Sequence, residues 1–217
     1  MKLGLRPSVK YATIGDDIIL LDIAANRYFA VPLAKRPSFH RMLDHSDLSI
    51  SDCRELKPYV DCGMLVEGQC TGPRPPLSTV GLRALDLDRT MLKPEHLLRA
   101  ILGRYRSRIE LKIRSFSGIL SGIAKSKRNH SMSRSVEDMH LVASSFRRTS
   151  GLFARHDQCL PLSIALVREC IRKRLPAQFV VGVHTTPFNA HAWVQIEDIL
   201  INDDPNFVKD FTPILVV

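Results

Sequence analysis

Asp157-Gln158-Cys159-Leu160-Pro161-Leu162-Ser163-Ile164-Ala165-Leu166-Val167 decides the fold, because it sets a thiol at the start of an apolar helix. Asp157 suits an N-cap and Pro161 suits the first turn. Ile164, Ala165, Val167 and Ile171 then recur at roughly helical spacing, and Arg172-Lys173-Arg174 falls at the negative end of the helix dipole. A helix start presents backbone N–H groups without intrahelical partners. At Cys159 they favour the thiolate, and the N–H of Cys159 itself is placed to stabilise an oxyanion.

Two further parts follow in chain order. Asn189-Ala190-His191-Ala192-Trp193-Val194 carries a base on a β-prone run, and Asp203 ends the next one. Nucleophile, base and acidic orienter in this order suit a cysteine hydrolase or acyltransferase, in which imidazole takes the thiol proton and a carboxylate fixes its tautomer. Ala192-Trp193-Val194-Gln195-Ile196 and Ile199-Leu200-Ile201-Asn202 form a hairpin about Glu197-Asp198. A strict two-residue turn would put Asp204 opposite His191, whereas a three-residue connection with a bulge would put Asp203 there, so register leaves both carboxylates open. Singly, a cysteine on a helix is more often a small buried hydrophobe than a nucleophile. The three together outweigh that reading. A zinc site built on His156, Cys159, His184 and His191 is the weaker alternative, because no C-x-x-C pair accompanies it.

The lines Cys159-Leu160-Pro161-Leu162-Ser163-Ile164-Ala165-Leu166, Val180-Val181-Gly182-Val183, Pro187-Phe188-Asn189-Ala190-His191-Ala192-Trp193-Val194 and Asn202-Asp203 resemble the B proteins of lasso-peptide biosynthesis, the transglutaminase-like leader peptidases. His191 follows Cys159 by 32 positions and Asp203 follows His191 by 12. These intervals agree with that family's triad and favour Asp203 over Asp204. Two positions depart from the pattern: Leu162 stands in place of an arginine before the serine, and Glu197-Asp198 replaces an Asp-Gly turn. The resemblance is specific over 159–205 and diffuse over 132–156. It implies a Cys159–His191–Asp203 triad that cleaves the leader from a ribosomally made precursor peptide through a thioester. An asparagine-synthetase-like cyclase would be the partner that closes the ring. The resemblance also implies a dependence of cleavage on ATP or on that cyclase, with no cofactor bound by this chain, which carries no recognisable nucleotide motif.

Composition frames these expectations. With 217 residues, 45% of them hydrophobic, the chain suits one or two domains with a real core. No run of 18 or more apolar residues predicts a membrane span, and Met1-Lys2-Leu3-Gly4-Leu5-Arg6-Pro7 has no signal-peptide core. Five cysteines (53, 62, 70, 159 and 170) make no even disulfide framework, so a reducing cytoplasm is expected. Charge is uneven. Residues 1–78 carry 10 basic and 9 acidic side chains, 79–156 carry 16 and 6, and 157–217 carry 5 and 7. The positive excess therefore belongs to the middle, as either a solvated helix face or a surface for an acidic partner.

The pattern predicts an α+β fold: a small winged-helix-like N-terminal module (three-stranded sheet plus helices), a helical segment, and a papain/transglutaminase-like α+β domain. The boundaries are 1–75 for the module and 80–217 for the domain, with a basic helical segment over 80–130. Val9-Lys10-Tyr11-Ala12-Thr13, Asp17-Ile18-Ile19-Leu20-Leu21-Asp22 and Arg27-Tyr28-Phe29-Ala30-Val31 form a meander. Helices follow over 38–43 and 51–60, the second bent or shortened by Pro58, and Met64-Leu65-Val66 returns as a strand. The segment 69–76 is a linker by composition. Near-neutral charge and the lack of a basic recognition helix argue against nucleic acid. The module instead resembles the leader-recognition element related to the pyrroloquinoline-quinone D protein (PqqD). That resemblance implies that a leader peptide adds a strand beside Arg27, Tyr28, Phe29, Ala30 and Val31 and packs on the last helix at Cys53 and Leu56. Further on, apolar positions interleaved with arginines make the segment from Leu82 to about Lys127 helical in character, with a helix start at Pro94-Glu95 and a pattern weakened at Gly118 and Gly122. A loop over 126–135 and a helix over 135–148 follow. The competing readings are a peptide-binding scaffold without catalysis, a nucleic-acid-binding regulator using the basic middle, and an acyltransferase on the same triad.

Overall fold

The computed structural model describes residues 2–68, 77, 79–86, 91–129, 131–153 and 159–217. The expected N-cap Asp157, His156 of the zinc alternative and the linker at 69–76 lie outside the described residues.

The meander forms as β2 (Val9–Ile14), β3 (Asp17–Asp22) and β4 (Arg27–Ala30), all antiparallel, with β3 in the middle. Ile14 pairs with Asp17 across a two-residue turn in which Gly15 takes φ 56°, a conformation that costs a glycine nothing. The run Ile18-Ile19-Leu20-Leu21 is apolar at every position because both faces of β3 are covered. Ile18 and Leu20 join an N-terminal core, while Ile19 and Leu21 join the main core of the molecule. The N-terminal core is closed by α1 (Arg36–Leu43) and α2 (Ile50–Asp61), with Phe39, Met42 and Leu56 fully buried. Ser49 and Asp52 cap α2 reciprocally: the Asp52 N–H donates to Ser49 Oγ at 3.2 Å and the Ser49 N–H to Asp52 Oδ2 at 2.9 Å. Pro58 does not shorten this helix, which runs on to Asp61. The returning strand, β5 (Leu65–Glu67), pairs with β1 (Leu3–Leu5), a three-residue strand too short to be seen in the sequence.

The rest of the chain is mixed α+β. After β6 (Arg83–Ala84), helix α3 (Pro94–Ile113) is followed at once by α4 (Phe116–Arg128). The helical segment expected here starts at Pro94 as its Pro-Glu pair predicts, and it divides in two because Arg114 turns extended and the Ser115 Oγ accepts the Gly118 N–H at 3.3 Å as an N-cap. A Cβ on Gly118 would lie 3.1 Å from that oxygen. The loop expected over 126–135 begins later, because α4 extends through Arg128. Next come α5 (Val136–Arg148) and α6 (Cys159–Arg172). A five-stranded sheet then forms from β7 (Gln178–Thr185), β8 (Phe188–Ile196), β9 (Ile199–Leu200) and, after α7 (Pro205–Val208), β10 (Thr212–Val216). Its order is β10-β7-β8-β9-β6, antiparallel except for the β6–β9 pair. Helices α3 to α6 cover one face of this sheet. Trp193, Val180, Val208 and Phe211 pack on the other. Among the described residues no helix is long and apolar enough to cross a membrane.

Candidate active site

Helix α6 begins at Cys159, and its apolar side, Ile164 to Val167 with Cys170 and Ile171, is buried against the sheet. Strand β8 crosses the helix start. Its period of two puts Ala192 and Val194 on the helix side and Trp193 on the opposite face. Ser163 of α6 donates from Oγ to the Ala192 carbonyl at 2.8 Å, which fixes the helix against the strand one residue from His191.

The structure brings Cys159, His191 and Asp203 together. His191 Nε2 lies 2.7 Å from Asp203 Oδ2, and the same side chain hydrogen-bonds with the Cys159 thiol. The ring is held by Phe207 edge-on at 5.0 Å and by Phe211 at 5.4 Å, with Trp193 stacked at 6.3 Å. Burial pushes the Cys159 thiol up. The His191 hydrogen bond and charge, with the backbone N–H groups of Ala192 and Leu160, outweigh that and hold it below its ordinary value. Burial likewise opposes a charged imidazole, yet Asp203 and Cys159 push His191 up to about 9. Both shifts run toward a thiolate beside an imidazolium.

The choice between the two carboxylates is made by a device the register alternatives did not contain. The turn is a strict two-residue one, with Ile196 opposite Ile199 and Glu197 at φ 53°. Continued, that register would set Asp204 across from His191. The ladder instead ends one bond past Leu200, with the Ile201 N–H on the Val194 carbonyl at 3.0 Å. Asn202 Oδ1 takes the Val194 N–H at 2.8 Å and Nδ2 donates to Ser163 Oγ at 3.3 Å, so a side chain replaces the next strand bond and swings Asp203 to the imidazole. Asp204 becomes the N-cap of α7, accepting the Asn206 N–H at 2.8 Å.

A cleft of about 480 Å³ opens on Cys159 and His191. Arg108 and Lys112 of α3 line it, as do Asn26 and Tyr28 from the N-terminal sheet. Tyr28 packs 5.5 Å from Phe188, and burial together with the Cys159 charge pushes its hydroxyl up to about 12. Of the residues expected to meet a leader peptide, Tyr28 thus faces the cleft and Phe29 the N-terminal core. Arg27 and Ala30 are exposed on the open-edge strand β4, and Cys53 is partly exposed. Val31 and Leu56 are buried, at 1% and 0% exposure. Arg108, Lys112, Asn202 and Ser163 carried no role in the sequence pattern beyond position, since their parts depend on long-range placement. Among the described residues no cluster of His, Cys, Asp or Glu could hold a metal ion.

Comparison with known proteins agrees with this architecture. Residues 101–216, more than half the chain, match the transglutaminase-like superfamily. The chain belongs to that superfamily. The microcin J25-processing protein McjB of Escherichia coli is 35% identical over 75 residues, covering 33% of this chain and 36% of that protein. The match therefore spans only about a third of the relative's length. No solved structure matches this transglutaminase-like chain.

Proposed function

We propose that this chain is a cysteine peptidase of lasso-peptide maturation that cleaves the leader from a ribosomally made precursor. The observation that carries the reading is the chain of contacts from Cys159 through His191 to Asp203, closed by the 2.7 Å Nε2–Oδ2 contact. Transglutaminase-like membership and the likeness to a microcin-processing protein support the substrate class.

In this mechanism the Cys159 thiolate attacks the carbonyl at the leader–core junction. The developing oxyanion is stabilised by backbone N–H at the start of α6. Collapse breaks the C–N bond, and the His191 imidazolium gives its proton to the departing core amine while the leader stays on sulfur as a thioester. His191 then takes a proton from water, which attacks the thioester and frees the leader carboxylate and the thiolate. Asp203 holds the imidazole with Nε2 turned to itself, which leaves Nδ1 for the thiol. Strands β2 to β4 with α1 and α2 serve as a winged-helix-like, PqqD-like recognition element, the leader adding as a strand on the open edge of β4. Tethering recognition to cleavage raises the local substrate concentration. An asparagine-synthetase-like cyclase is the partner that would take the product, and ATP or that cyclase would be needed for full cleavage.

The test is to incubate the precursor with wild type and Cys159→Ala, with and without ATP and cyclase, and to weigh the products. Leader and core fragments from wild type alone are expected. Equal cleavage by Cys159→Ala refutes the peptidase, and tight binding without any cleavage moves the chain to a scaffold. Incorporation of an added amine in place of water would mark an acyltransferase.

A further inference from the structure

We infer that the outward face of α3 is a docking seam for an amphipathic helix whose apolar stripe is bordered by acidic residues. Leu98, Leu102, Tyr105, Ile109 and Ile113 are 56%, 57%, 52%, 57% and 73% exposed. Their spacing of four, three, four and four residues sets them in one narrow stripe along the helix, about 22 Å long at 1.5 Å per residue. The opposite side of α3 is the side that packs inward, through Ala100, Arg104, Ser107 and Glu110. A helix whose core-facing side is already buried, yet which keeps five large apolar side chains in water at knob spacing, has the pattern of half a helix–helix seam.

The borders of the stripe identify the occupant. Arg99 and Arg106 lie along one edge and Arg108 and Lys112 along the other. Arg99, Arg108 and Lys112 have no acidic partner among the described residues, while Glu110 is already shared by Arg168, Arg106 and Arg114. Cations on both edges would meet cations if two copies of this chain paired through the seam, so self-association is disfavoured. A partner helix with Asp or Glu in the flanking positions meets attraction on both edges. The narrowness of the stripe also favours a helix over a lipid surface, which takes a broader apolar face. Arg108 and Lys112 line the Cys159 cleft as well, so a docked helix would sit at the cleft rim. The seam is independent of the chemistry proposed for Cys159.

The probe is a synthetic three-heptad helical peptide with Leu at its seam positions and Glu at the flanking ones, compared with the same peptide carrying Lys. Titration against the full chain by calorimetry should show binding of the Glu peptide only, weakened at least threefold between 50 and 300 mM salt as screening predicts. Leu102→Ser with Ile109→Ser, both exposed, should leave the circular dichroism spectrum and Tm unchanged and weaken binding at least tenfold. Equal binding of the Glu and Lys peptides, or undiminished binding by the double variant, overturns the inference. So does sedimentation with phosphatidylcholine/phosphatidylglycerol vesicles, or a dimer, that the double variant abolishes.

Discussion

Asp203→Asn removes one negative charge from His191 while keeping the side-chain shape. Holding the imidazole proton to about 9 instead of 6.5 corresponds to about 3 kcal/mol at 1.36 kcal/mol per decade. His191 and Asp203 are only 15% and 16% exposed, so solvent screens little of it. Two anions, Asp203 and the Cys159 thiolate, supply that stabilisation against the penalty of burial. An even division assigns Asp203 about 1 to 2 kcal/mol, or about a five- to thirtyfold loss in kcat/KM for precursor cleavage. The alkaline limb of the rate–pH profile should fall with it, from about 9 toward 6.5, because the imidazolium loses its proton earlier. Asp204→Asn keeps an N-cap residue on α7 and should stay within about twofold of wild type. Cleavage rates of both variants across pH 5 to 10 make the comparison. A severe loss in Asp204→Asn with Asp203→Asn unaffected, or an unmoved alkaline limb in Asp203→Asn, refutes the assignment of the carboxylate.

Wild-type kcat/KM should itself be bell-shaped. It rises as Cys159 ionises, below the ordinary thiol range, and falls through about 9 as His191 deprotonates; a rise still continuing at pH 10 would contradict the ion pair. Asn202→Ala leaves the Val194 N–H without its acceptor, which costs about 1–3 kcal/mol, and about 2–4 °C of Tm per kcal/mol by thermal melting, together with a loss of cleavage as Asp203 drifts. Gly182→Ala would drive a methyl to 2.7 Å from the Trp193 ring, and overpacking of this kind costs about 1–3 kcal/mol, read as a lowered urea midpoint.

The order Cys159, His191, Asp203 was legible because two of the three belong to elements whose own pattern is strong, Cys159 to the head of an apolar helix and His191 to a period-two strand, with Asp203 just past the strand that follows. What lay hidden depends on contacts distant in sequence. Asn202 is one polar residue among several until it is seen to substitute for a ladder bond of β8, and that substitution, not the turn type, selects Asp203. The parallel β6–β9 pairing joins residues more than a hundred positions apart through two-residue strands. Tyr28 and Phe29 face opposite ways along β4, and only the packing of the N-terminal sheet against the main core reveals that the Tyr28 side opens on the Cys159 cleft. The same packing covers both faces of β3, whose unbroken apolar run was the one local sign that the first 60 or so residues share a core with the rest.

The most direct measurement is the pH dependence of iodoacetamide alkylation at each cysteine, read by peptide mass spectrometry from pH 5 to 9. Cys159 should react with a midpoint below an ordinary thiol and ahead of the exposed Cys62, and Cys170, fully buried and pushed far up, should not react in the folded chain. His191→Ala should return Cys159 to ordinary behaviour. Alkylation of Cys159 that tracks an ordinary thiol in the wild type, or that ignores the loss of His191, would contradict an ionised nucleophile at the head of α6.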